Sequence, residues 1–189
     1  DMRIIGNTTP RYAYGLNLNF SWNRISLSSF FQGIGRRDWY PSTESDNFWG
    51  QFNRPYNVEL KSQVGNIWSE DNPNAYFPRL RGNLASSTER ILGVPQTRYL
   101  QNAAYIRLKN IQLGYDLSEK IFSKRINNMR IYFSGENLWV WSPMFKYTGH
   151  NIDPESINGS ENLVGPGNQG DGQNYPILKS FTLGINISL

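Results

Sequence analysis

The sequence contains no cysteine, so neither a disulfide framework nor a thiolate metal site can form. It has a single histidine, His150, which excludes zinc sites built from several imidazoles and a Ser–His–Asp arrangement with a second supporting histidine. Nowhere does it run to the roughly 18 apolar residues of a membrane-spanning helix, although strands that cross a membrane leave a much weaker signal and stay open. Charge is scarce, at 18% of residues. The net charge is +4, yet the basic residues fall in short separated groups, "GRRD" and "KRINNMR", that make no nucleic-acid footprint. The opening "DMRIIGN" is no signal peptide, so a secreted or membrane destination implies an upstream portion.

What is present is turn-forming and aromatic. Seventeen Gly and 10 Pro accompany 14% aromatic residues, while the hydrophobic share is only 38%. Such a chain of 189 residues has many turns and little aliphatic mass for a core.

Five segments alternate between apolar and polar residues with the period of a strand. In "YGLNLNFSW", Tyr14, Leu16, Leu18, Phe20 and Trp22 share one face and Gly15, Asn17, Asn19 and Ser21 the other. The pattern predicts strands at about 12–22, 24–32, 105–117, 129–141 and 178–189. The first two are joined at Asn23 as a tight hairpin. After Gly33 the alternation stops, and "GIG" reads as a turn, since the strand, helix and spacing of a phosphate loop are missing. A short helix is expected somewhere in 57–69, and a helical turn capped by Ser118 between the third and fourth strands.

The connections alternate short and long, with long ones over about 33–104 and 142–176. A compact soluble domain rarely carries such long irregular connections, whereas transmembrane barrels pair short periplasmic turns with long outer loops. Tyr12, Trp22, Tyr115, Trp139 and Trp141 near strand ends suit a headgroup interface. The faces opposite the apolar ones hold small and amide residues, which suits a wet or plugged lumen. A soluble sandwich or small barrel remains the rival. In the barrel reading, five strands cannot close by themselves, because unpaired edges would face hydrocarbon, so another segment must supply their neighbours.

Candidate chemistry is sparse. Glu44/Asp46, Glu70/Asp71 and Asp153/Glu155 are acidic pairs of the type that holds Ca²⁺ or hydrolyses glycosides, but each lies in a polar loop where solvated charge is the default. No EF-hand pattern occurs, no cofactor is implied, and a loop-bound calcium is the most these acids suggest. His150 is expected to hydrogen-bond within its loop. "NTT", "NGS" and "NIS" are chance matches to glycosylation acceptors. The loop residues Arg36, Arg37, Trp39, Tyr40, Trp49, Phe52 and Trp68 are candidates for contact with a partner protein, for packing within the loops, or for stacking on a substrate. Asn17, Asn19, Asn110, Gln112, Arg130 and Glu136 are candidates for the lumen, with Arg130 and Glu136 expected to meet a plug or one another.

Taken in order, "IIGNTTPRYAYGLNLNFSWNRISLSSFFQG", "NPNAYFPRL", "YLQNAAYIRLKNIQLGYDLSEKI", "MRIYFSGENLW" and "YPILKSFTLGINISL" resemble the C-terminal end of a SusC/RagA-type TonB-linked (TonB-dependent) outer-membrane transporter of Bacteroidetes. The resemblance implies an all-β fold: the last five antiparallel strands of a 22-stranded barrel, with the C-terminus at the periplasmic side. It also implies an N-terminal plug and a TonB box, both outside these residues. The implied function is import of oligosaccharides or peptides beneath a SusD-like surface lipoprotein, energised through TonB, with no enzymatic step. Leu189 stands where many outer-membrane proteins end in Phe. A soluble carbohydrate-binding module using loop aromatics and a passive porin-like barrel are the alternatives.

Overall fold

The computed structural model describes residues 3–43, 45–81, 92–117, 128–157 and 175–188. Expectations about Glu44, Ser118, the "NGS" acceptor and the terminal Leu189 lie outside the described residues. The chain divides into two compact units.

One unit is a sheet of five long strands. Strand β1 (Arg11–Trp22) turns at Asn23, whose φ of 56° is a conformation that Asn tolerates better than most side chains, into β2 (Ile25–Arg36). After a two-stranded ladder of β3 (Asp38–Trp39) with β4 (Gln101–Asn102), which belongs to the other unit, the sheet resumes. It continues with β5 (Tyr105–Leu117), β6 (Asn128–Trp141) and β7 (Ser180–Ser188). Its spatial order, β1-β2-β5-β6-β7, is the order of the sequence, and β5–β6 and β6–β7 pair antiparallel.

Strand β2 runs on to Arg36, through Gly33 and Gly35, so neither glycine sits in the expected turn. The backbone can pair without a side-chain alternation to advertise it, and a Cβ on Gly35 would lie 3.2 Å from the Cβ of Tyr12. In β6, Asn137 has φ 52° where the β5–β6 register slips between Leu108 and Asn110, a β-bulge. Glycines also make room on the sheet. A Cβ on Gly184 would collide with the ring of Tyr132, its register partner, and one on Gly114 with the Arg130 guanidinium.

The other unit gathers the two long connections, 35–105 and 142–177, with the first residues of the chain. Its regular structure is slight: the β3–β4 ladder, α1 (Asp46–Trp49) followed by a 3₁₀ turn, and α2 (Phe145–Thr148). The helix expected within 57–69 is replaced by turns and by isolated bridges, Ile67 with Phe77 and Ser69 with Asn72. Gly65, at φ 73°, adopts a conformation that stops a helix there.

Candidate functional site: the loop unit and the polar face of the sheet

The loop unit is built around aromatic rings. Trp39, Tyr40, Phe48, Trp49, Phe52, Phe77 and Tyr99 are buried together with Met144, Ile152 and Ile157. Short helix α1 delivers Phe48 and Trp49 side by side, with ring centroids 4.7 Å apart in an edge-on pair. The 3₁₀ turn places Phe52 in a stack on Phe77 at 5.7 Å. Each such pair contributes about 0.5–1.5 kcal/mol beyond its buried area. Tyr76 and Tyr147 stack at 3.7 Å with their planes 10° apart, so the two long connections are clasped to each other.

Polar groups inside this core are bonded to backbone that lacks a regular ladder. Trp49 Nε1–H donates to the Ser42 carbonyl at 2.8 Å. Gln63, fully buried, donates to the carbonyls of Phe48 and Trp49 at 2.9 and 3.1 Å. The Tyr40 hydroxyl donates to the carbonyls of Leu92 and Val94, and at the edge of the core the exposed Arg98 donates to those of Tyr76 and Ala75. Side chains thus replace the sheet as hydrogen-bond partners for an irregular chain. Burial pushes the Tyr40, Tyr76 and Tyr99 phenols above their ordinary value, because a phenolate would be desolvated there.

The loop candidates therefore separate. Trp39, Tyr40, Trp49 and Phe52 face the core and hold the loops, and their rings are not offered to a partner or a sugar. Arg37 is buried as well, at 7% exposure. Arg36 is exposed at the end of β2, and Trp68 is half-buried with the Arg79 guanidinium 5.9 Å from its ring centre. Tyr56 and Val58, which sequence reasoning passed over, are far more exposed, Tyr56 at 78%. They border an open cavity of about 290 Å³ with Asp46, Asn47, Gly50, Asn57 and Leu60. The Asp46 carboxylate is already engaged there, accepting from the Asn53 and Asn57 amides and lying 3.6 Å from Arg54.

Asp153 accepts from the amides of Glu155 and Ile177 at 3.0 and 3.2 Å. Among the described residues no group of three His, Asp or Glu side chains could hold a metal ion. His150 is exposed, and its ring lies 4.3 Å from that of Phe145.

On the sheet, Asn17 and Asn19 sit on β1, Asn110 pairs with Glu136, and Gln112 pairs with Ser134. Arg130 and Glu136 do not meet each other, as the sequence reading allowed. Arg130 crosses β5 above Gly114, lies 3.9 Å from Asp116, and donates to Ser26 Oγ on β2. Glu136 accepts from the Ser180 hydroxyl of β7 at 3.0 Å. Asp116 and Gly114 escaped the sequence reading, although a glycine in register between two polar strands was the available signal. On the other face, Leu16, Leu18, Phe20, Leu113, Ile131, Phe133, Leu183, Ile185 and Ile187 stand exposed.

Comparison with known proteins accounts for that exposed face. TonB-dependent receptor P26 of Formosa agariphila is 29% identical over 191 residues, covering 100% of this chain and 18% of the relative. The chain is a relative of the TonB-dependent receptors, of the SusC/RagA type. TonB-dependent receptor P3 of the same organism is 30% identical, covering 99% of the chain and 17% of its own length. The solved structure of the RagAB peptide transporter matches this receptor relative with a TM-score of 0.64 and 27% identity, over 98% of the chain and 18% of the solved one. No family model matches the sequence. The chain thus spans less than a fifth of the curated relatives it matches, and its sheet is a segment of β-barrel wall.

Proposed function

We propose that this segment is the C-terminal wall and part of the outer loop assembly of an outer-membrane importer. The importer takes up peptides or oligosaccharides beneath a SusD-like lipoprotein lid and is driven through TonB. The observation that carries the reading is the sheet itself. Five sequential strands expose a continuous apolar face, both edges lack partners within the described residues, and the likeness to RagAB runs over 98% of the chain. Apolar strand faces that alternate with small polar ones suit lipid outside and a filled lumen inside. The carbohydrate-binding reading loses most of its support, because Trp39, Tyr40, Trp49 and Phe52 belong to the loop core.

In this reading the short turns are periplasmic, the long connections are extracellular, other strands of the barrel complete both edges, and the plug fills the lumen. Native mass spectrometry of the detergent-extracted receptor is expected to find the complete polypeptide bound to a lipoprotein. Uptake of its nutrient by whole cells is expected to stop when the proton-motive force is collapsed. Uptake that persists without the gradient would make the protein a passive pore.

A further inference from the structure

Trp139 and Trp141 stand on the polar face of the sheet, opposite the exposed apolar one. Strand β5 alternates without a break, so Ile106 and Leu108 share a face with Asn110, Gln112 and Gly114. Cross-strand partners also share a face, and Trp141 pairs with Ile106, Trp139 with Leu108, and Glu136 with Asn110. The bulge at Asn137 produces this arrangement. Its extra residue shifts the alternation of β6, which would otherwise leave both indoles on the apolar face with Phe133 and Gly135. Leu138 marks the shift. Its Cδ1 lies 2.6 Å from the place a Cβ on Gly135 would take, so Leu138 stays on the apolar face and Trp139 turns to the other. The two rings are thereby removed from the bilayer interface that suits aromatics near a strand end. They are 48% and 54% exposed.

The rings follow each other at about 7 Å along the strand, with Ile106 and Leu108 as their register partners. On the adjoining polar rung Asn110 offers an amide and Glu136 an exposed carboxylate, which the Ser180 hydroxyl holds at 3.0 Å. A flat apolar surface bordered by a few fixed polar groups matches a pyranose ring, whose C–H face is apolar and whose rim carries hydroxyls that donate and accept. Charge narrows the class. Arg107 and Lys109 alternate onto the other face of β5, and Arg130 lies beside Asp116, about 20 Å down β6 from Glu136. On β5 and β6, Glu136 is thus the charge that a ligand on this strip meets, and it opposes uronates and sulfated sugars. We propose that Trp139 and Trp141 form a stacking strip for an uncharged oligosaccharide inside the receptor. The proposal deepens the importer reading and rests on it, because in that reading the polar face lines the lumen and β6 leads into an extracellular connection.

The test uses the complete receptor with its lipoprotein in detergent, carrying Trp139→Ala or Trp141→Ala to remove a ring, or Trp139→Phe or Trp141→Phe to keep a flat one. Affinity is measured for a panel of neutral hexasaccharides (malto-, cello-, manno- and xylohexaose), for hexagalacturonate and for mixed octapeptides. A neutral hexasaccharide is expected to bind best, to lose about tenfold or more in W139A and W141A, and to change about threefold or less in the phenylalanine variants. The melting temperature of the ligand-free receptor is expected to stay unchanged. A panel without a neutral binder would overturn the proposal, as would alanine variants that bind as the wild type does or that lose the octapeptides instead. A lowered ligand-free melting temperature would also overturn it, by showing that the receptor itself covers the rings. A second measurement stands even where the alanine variants fail to assemble. In vesicles of phosphatidylcholine with brominated acyl chains, the fluorescence that the double variant W139F/W141F lacks is expected to escape quenching, and its quenching would place the indoles against lipid. Failure of the importer reading shows separately, as uptake that ignores the proton gradient.

Discussion

In β7, Phe181, Leu183, Ile185 and Ile187 are exposed, Leu183 at 75%, whereas in the loop unit Trp49, Phe52 and Phe77 have no accessible surface. The region with the sharpest hydrophobic pattern is thus the one that hides least of it, and the region with no pattern has the well-packed core. A strand in a barrel wall satisfies its backbone through its neighbours and presents its side chains to lipid, so its pattern is regular and its burial slight. The loops have little ladder to rely on. Their order comes from aromatic rings packed out of sequence register and from side chains such as Gln63, Tyr40 and Arg98 bonded to bare carbonyls.

That contrast can be broken in three ways within the complete receptor. Trp49→Ala should have the largest effect, a loss of about 3–5 kcal/mol confined to the loop unit. Limited proteolysis should then cut the loops while the barrel keeps its folded mobility on an unheated gel, and loss of both together would show that the two units do not behave separately. Next comes the sheet. Leu183→Arg near mid-strand is expected to cost about 2–4 kcal/mol if it faces the bilayer midplane. Thr182→Arg, on the opposite face, should assemble nearly as well as the wild type, and equal damage from the two would end the lipid-facing assignment.

The smallest effect is in alkali. The Tyr40, Tyr76 and Tyr99 phenols are held protonated by burial in the folded loops. In the unfolded chain they lose their protons near the usual value of about 10. The unfolded state then binds fewer protons than the folded one, so the stabilisation is complete below that pH and declines as pH rises above it. Loop melting, followed by tyrosine absorbance, should move down above pH ~10, and less so in Tyr76→Phe. A loop transition indifferent to pH in that range would count against the buried phenols.

Much of the sheet was legible because period-two alternation survives in any strand with two unlike faces. The segments expected at about 105–117 and 129–141 correspond to β5 and β6 within a residue at each end. Strand β2 was read short because Gly33 and Gly35 interrupt the side-chain pattern without interrupting the backbone pairing. The loop candidates were chosen for aromatic content, which marks binding surfaces and cores alike. Trp49 and Phe52 belong to the core, whereas Tyr56 and Val58 lie on the surface, and no spacing rule separates "FWGQF" from "RPYNV".

The sequence by itself determined which residues form the long strands, which of their faces is apolar, and the family to which the chain is related, because those depend on local periodicity and on segment order. Only the tertiary structure decided which loop aromatics are buried, that Arg130 reaches Asp116 and Ser26, and that Arg37 lies inside and donates to the Ile157 carbonyl. These depend on contacts between residues tens of positions apart, such as Arg37 with Ile157 and Tyr76 with Tyr147, and no local pattern encodes them.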